Sequence, residues 1–190
     1  HIRRMTTALK MLGLPHDHFT VLIVQHCRLL RDGKEVKMGK RLASYVTLRE
    51  LMEEVGIDAT RWFFAMRKTD SHLDFDMTLA VKQSAENPVY YVQYAHARIA
   101  SVLRKAGETG LYAGPFEASA LGPDETLLVR HVRGLQRAVE RAARDLDPAT
   151  ICTYAHGLAS AYQHYQTAGK HDASKRILSD DKRLRGTVLL

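Results

Sequence analysis

Three proline-bearing pairs, Asn87-Pro88, Pro123-Asp124 and Asp147-Pro148, each head a long stretch of helical periodicity, and together they constrain the second part of the chain to a helix bundle. Proline is tolerated at the first helical position, where its missing N–H has no partner to lose, and is excluded from the interior. The spacing predicts helices over 88–105, 123–145 and 147–167, with the Gly- and Pro-rich stretch 107–122 as the linker between the first two. The tail from Asp172 to Leu190 reads as the beginning of a last helix.

Before residue 80 the pattern differs. Ile2, Met5, Leu9 and Leu12 predict an amphipathic helix over 2–12, ended by Gly13 and Pro15. Phe19 to Val24, FTVLIV, is a β-branched run typical of a buried strand. Asp32-Gly33 lies between extended flanks and predicts a hairpin over 29–36. Thr47 and Glu50 have the spacing of a capping box, with Leu48, Leu51, Met52 and Val55 as the apolar face behind it. Asp58 is placed to cap a further helix through Trp62, Phe63 and Met66, and Trp62, Phe63 and Phe64 read as core. The chain thus divides near residue 80 into a mixed α/β piece, 1–80, and an all-α bundle, 81–190.

Composition narrows the function. A hydrophobic fraction of 45% and a charged fraction of 26% are those of a globular protein. No apolar stretch approaches the roughly 18 residues that span a bilayer, so no membrane role is expected. Cys27 and Cys152 are too few for a disulfide framework or a zinc site, which points to a reducing compartment, the cytoplasm. The net charge of +7 favours an anionic partner, and nucleic acid is the commonest.

The chemistry concentrates in Lys37-Met38-Gly39-Lys40-Arg41. Two lysines flanking a small residue can close over a polyphosphate and neutralise charge developing on a pyrophosphate leaving group. Gly39 supplies backbone freedom. A solvated basic turn has the same composition, and the tetrapeptide alone does not separate the two. In the helical part, Leu128, Val132, Leu135, Val139, Ala142 and Leu146 form an apolar stripe expected to face a core. Arg130, Arg133, Arg137, Arg141 and Arg144 form a second stripe that could track a phosphate backbone, or lie solvated and balanced by Glu140 and Asp145. Tyr90, Tyr94 and Arg98 share a face suited to unstacked RNA bases or to packing on the α/β part. His96, in line with Val92, Ile99 and Leu103, reads as a core histidine. His16-Asp17-His18 offers no third ligand, so no metal is expected. Asp70, Asp74 and Asp76 read as capping and contact residues.

LLRDGKEVKMGKR, residues 29–41, resembles the KMSKS region of class I aminoacyl-tRNA synthetases. YVTLRELMEEVGIDATRWFFAMRKTDSHLDFDMTLA (45–80) and ENPVYYVQYAHARIASVLRKAG (86–107) resemble the arginine-specific branch. The resemblance implies the C-terminal part of a Rossmann-type catalytic domain, 1–80, followed by an anticodon-binding helix bundle, 81–190. It implies that Lys37 and Lys40 are the catalytic signature lysines that contact ATP phosphates, that Met38 lies beside the adenosine and that Gly39 stands where serine is usual. Gln93, Tyr94 and Arg98 become candidates for tRNA contact. The family activates arginine with ATP, magnesium accompanying it and no tightly bound cofactor being needed, then transfers arginine to its tRNA; a monomer is expected. His1 to Arg4 read HIRR, and no HIGH motif is found, so the chain is expected to be a fragment that does not aminoacylate alone, with apolar surface exposed where the N-terminal portion would pack. A non-catalytic tRNA-binding module acting in trans is the alternative.

Overall fold

The computed structural model describes residues 1–15, 18–37, 45–108, 121–172 and 175–177. It is mostly helical around one small sheet: α1 (Ile2–Met11), β1 (Cys27–Arg31), β2 (Lys34–Glu35), α2 (Leu48–Val55), α3 (Ile57–Ala65), β3 (Leu73–Asp76), α4 (Met77–Val81), α5 (Pro88–Glu108), α6 (Pro123–Arg133), α7 (Leu135–Asp145) and α8 (Ala149–His171).

The hairpin forms where Asp32-Gly33 predicts it. Both residues have positive φ, 51° and 72°, the geometry of a tight turn whose twist matches its strands. Leu30 faces Glu35 and Arg31 faces Lys34. Thr78 holds the turn from α4, accepting from Asp32 N at 2.9 Å and donating to Asp32 Oδ1 at 3.1 Å. β3 lies parallel to β1 on its other edge, after a crossover through α2 and α3. Arg28 and Asp74 are partners in that register and make a bidentate pair at 2.7 Å, which holds the Asp74 carboxyl below the usual carboxylate range. Beneath the sheet, Phe63 and Phe64 tilt against the fully buried Phe75 with centroids 5.0 and 5.5 Å away. Phe63 joins the core; Phe64 stays part-exposed at its rim.

Both halves of the capping box at Thr47 and Glu50 are made. Asp58 does not cap α3, because the helix starts two residues earlier than that cap requires, from Gly56, whose φ of 87° turns the chain sharply out of α2. Asp58 falls in the first turn, and its carboxylate accepts from Gln93 on α5 instead.

The run FTVLIV is not a strand. Val21, Leu22, Ile23 and Val24 are exposed, and pairing begins only at Cys27. A β-branched run becomes a strand when a neighbour completes its ladder, and among the described residues the run itself has none, the first backbone bond being Gln25 N to Thr69 O just after it. The helix α1 also has no buried residue. This side of the chain thus exposes apolar side chains, Ile2 and Met5 of α1 and Val21 to Val24 among them.

The helical part is organised by α8, against which α5, α6 and α7 all pack. Asn87 makes the entry into α5. Its buried side chain donates to Ala80 O at 3.0 Å and Lys82 O at 2.9 Å and accepts from Val89 N at 3.0 Å. Val89 belongs to the core under the sheet, whereas Ala95, nearly two turns on, joins Ala159 and Tyr162 in a second cluster. One helix therefore serves both cores.

The helix expected over 123–145 is broken at Gly134. The amide of Gly134 bonds both Arg130 O and His131 O, and Tyr154 of α8 donates to Val132 O at 3.4 Å. A Cβ at Gly134 would stand 3.0 Å from His131 O, so the tight turn suits glycine. The apolar stripe does not face a core either. Val132, Leu135, Val139 and Leu146 are about half exposed, and only Leu128 joins the second cluster. The half-buried residues of α7 are Ala138 and Ala142, so α7 is rolled toward its small side chains, at the edge of the stripe that Ala142 belongs to. His96 is exposed rather than core. Residues 109–120 of the expected linker, and most of the expected tail helix, lie outside the described residues. Among the described residues, no helix is long and apolar enough to cross a membrane.

Candidate nucleic-acid interface

The segment that carries Lys37 leaves the hairpin at Val36, and Val46 lies beyond its far end. Both valines pack against the core under the sheet, Val36 with its amide on Leu29 O at 2.9 Å and Val46 just before the capping box. Lys37 is exposed at the exit; Met38, Gly39, Lys40 and Arg41 lie outside the described residues.

On α5 the spacing of Tyr90, Tyr94 and Arg98 becomes a ladder. The two tyrosine rings stack with centroids 6.0 Å apart and 18° between their planes, and the Arg98 guanidinium covers Tyr94 at 4.8 Å. Tyr94 remains 39% exposed, enough to leave part of its ring open to a ligand. Arg98 is turned toward α8, where Nη1 donates to Gln166 Oε1 at 2.5 Å, and Gln166 reaches the Tyr162 hydroxyl at 3.4 Å. Burial pushes the Tyr162 phenol up, and the charge of Arg98 pulls it partly back. Tyr91, on the neighbouring face, stacks on His156 of α8 at 5.0 Å. The ladder thus spans the two parts: Arg98 is tied to the bundle at Gln166, while Tyr90 borders residues of α3 and α4, and nearby on α5 Gln93 donates to Asp58 at 3.0 Å.

The five arginines of α6 and α7 are all exposed. Arg141 and Arg144 share Asp145, at 3.6 and 3.0 Å, which lowers the carboxyl of Asp145 through the hydrogen bond from Arg144 first. Arg130, Arg133 and Arg137 have no ion pair among the described residues. No hydrogen bond or ring contact described joins this stripe to the ladder on α5. Gln166, Tyr162 and Asp58 are the members that sequence reasoning missed. The first two repeat at helical spacing in AYQHYQ, a signal legible once α8 is known to face α5.

A helix bundle whose faces carry planar aromatics and free guanidinium groups has the chemistry of an RNA-binding module. Consistent with this, residues 92–189 match the model of the DALR anticodon binding domain, and the chain belongs to that family. The relatives it is similar to are arginine–tRNA ligases. One from Heliobacterium modesticaldum is 44% identical over all of this chain and 34% of its own length. Another from Halalkalibacterium halodurans is 49% identical over 88% of this chain and 31% of its own. The chain therefore spans about a third of the length of the curated relatives it matches. Among solved structures, a Campylobacter jejuni protein described as an arginyl-tRNA synthetase superposes with a TM-score of 0.83 at 28% identity, covering 99% of this chain and 40% of that one. The Thermus thermophilus arginyl-tRNA synthetase shares the fold, with a TM-score of 0.67 over 85% of this chain and 30% of that one, at 23% identity.

Proposed function

We propose that the chain supplies the ATP-phosphate loop and the tRNA-binding bundle of an arginine–tRNA ligase, residues 1–80 belonging to a Rossmann-type catalytic domain and 81–190 to the anticodon-binding domain. The family match over 92–189, on the bundle that carries Tyr94 and Arg98, is the observation that supports this reading.

The substrates are arginine, ATP with its magnesium, and arginine tRNA. In the activation step negative charge builds on the pyrophosphate leaving group. Lys37 and Lys40, on a segment tethered at Val36 and Val46, would close over that charge, a contact stronger in the transition state than in the ground state. Met38 would border the adenosine and Gly39 give the segment its hinge. Gln93, Tyr94 and Arg98 would meet bases, and Arg130, Arg133, Arg137 and Arg141 would meet phosphates. The protein is proposed to act as a monomer in the cytoplasm.

Titrating the chain with arginine tRNA and with a non-cognate tRNA across a range of salt tests this. Preference for arginine tRNA should persist at physiological salt. Equal binding of both that vanishes as salt rises would leave only electrostatic attraction and sink the reading.

A further inference from the structure

Four helix ends meet at a cleft of about 660 Å³, formed by the end of α2, the start of α3, the end of α4 and the first turns of α5. That size lies within the range of small-ligand pockets, roughly 300–1,000 Å³. Its wall is apolar at Ile57, Ala80 and Val81, while Asp58, Tyr90 and Gln93 contribute polar and aromatic groups.

Two properties of this wall select one ligand chemistry. Tyr90 is the terminal rung of the Tyr90–Tyr94–Arg98 ladder, and it is the rung that borders the cleft. A stack of planar groups that ends at a cleft offers a surface for one further planar group, and every nucleobase has a π-face to place there. The second property is the pairing of Gln93 with Asp58. Gln93 Nε2 donates to Asp58 Oδ2 at 3.0 Å. This uses one of the two N–H groups of the Gln93 carboxamide and leaves its second N–H, Gln93 Oε1 and Asp58 Oδ1 with no other hydrogen bond among the described residues. Two neighbouring acceptors suit a base edge that donates through an exocyclic amine, as adenine, cytosine and guanine do. Uracil turns two carbonyl oxygens toward such an edge, with a single N–H between them.

We infer that the cleft is a nucleobase site, in which one unstacked RNA base carrying an exocyclic amine stacks on Tyr90 and is read by Asp58 and Gln93. The inference rests on the tRNA-binding reading and deepens it, since neither Tyr90 nor Asp58 belongs to the contacts proposed above. It also places base reading at the joint between the two cores, where α3 and α5 are tied.

Fluorescence anisotropy with labelled eight-nucleotide A, C and U oligomers tests it on this chain, at low and at physiological salt, with arginine tRNA as the reference. The A and C oligomers are expected to bind about ten-fold more tightly than the U oligomer, and Tyr90→Leu to remove about ten-fold from A and C with no change in salt dependence, because no phosphate contact is lost. Asp58→Asn keeps an acceptor for Gln93, and with it the tie between α3 and α5, but adds a donor to the edge. It is expected to erase the discrimination against U while melting with the wild type, which a merely structural role would not do. Equal binding of the three oligomers by the wild type, no oligomer binding at all beside sound tRNA binding, or discrimination that survives in Asp58→Asn overturns the cleft proposal alone. Failure of the wild type to prefer arginine tRNA overturns the underlying reading instead.

Discussion

Arg98 Nη1 donates to Gln166 Oε1 at 2.5 Å, tying α5 to α8 at the point where the guanidinium lies over the Tyr94 ring. A cation gains from a ring only while it is held over the face, and an exposed guanidinium left free samples many other rotamers. Gln166 supplies the hold, and its own amide is steadied by the Tyr162 hydroxyl. Gln166 is therefore a positioning residue for the ladder. Gln166→Ala should weaken binding of arginine tRNA about five-fold, the scale of one exposed cation–π contact, without altering the salt slope, since Arg98 keeps its charge. Gln166→Glu retains an acceptor and should restore binding. Wild-type affinity in the alanine variant, or a glutamate variant as weak as alanine, would show that the ladder needs no such support.

Asn87 is the joint between the sheet core and the bundle. Its one buried side chain satisfies two carbonyls at the end of α4 and the first free amide of α5. Truncation leaves these groups without partners, at about 1–3 kcal/mol for a buried one. Asn87→Ala is expected to lower unfolding free energy by about 2–4 kcal/mol in urea titration, with the slope of the transition unchanged. Asn87→Asp keeps the acceptor for Val89 N but turns a carboxylate oxygen toward the Ala80 and Lys82 carbonyls in a buried site, so it should destabilise at least as much as Asn87→Ala. A loss in Asn87→Ala below about 0.5 kcal/mol, the scatter of ordinary surface substitutions, would mean the joint is held by packing alone.

What was legible in the sequence was what is decided locally. Asp32-Gly33 sets its own backbone angles, Thr47 and Glu50 satisfy each other within one turn, and Pro88 starts a helix because it can do little else. The strand expected at FTVLIV needed a neighbour that no local pattern supplies, and the break at Gly134 is met by Tyr154, a residue of another helix, through Val132 O. The same limit applies to the site. The spacing of Tyr90, Tyr94 and Arg98 was readable as one face, but its partner was not, because Gln166 lies 68 positions away and Asp58 meets Gln93 across 35. The apolar stripe misled for a related reason. Periodicity locates a hydrophobic face, while the neighbour's shape decides how far it is turned inward, and here α8 accepts the alanines.

The arginine stripe is split by Asp145. Arg141 and Arg144 both lean on that carboxylate, so a phosphate approaching either must compete with an existing partner. Arg133 and Arg137 carry no such tie among the described residues and can neutralise a phosphate at once, releasing its counterion. Each of Arg133→Ala and Arg137→Ala should therefore reduce the slope of log affinity against log salt for arginine tRNA by about 0.7 to 0.9, the contribution of one phosphate contact. Arg141→Ala should change the slope less. Asp145→Asn releases both arginines and should strengthen binding while steepening the slope, an outcome opposite in sign to simple loss of structure. If all four variants keep the wild-type slope, the stripe is a solvated face, and the bundle's hold on tRNA must come from bases stacked along α5 and α8 rather than from phosphates along α6 and α7.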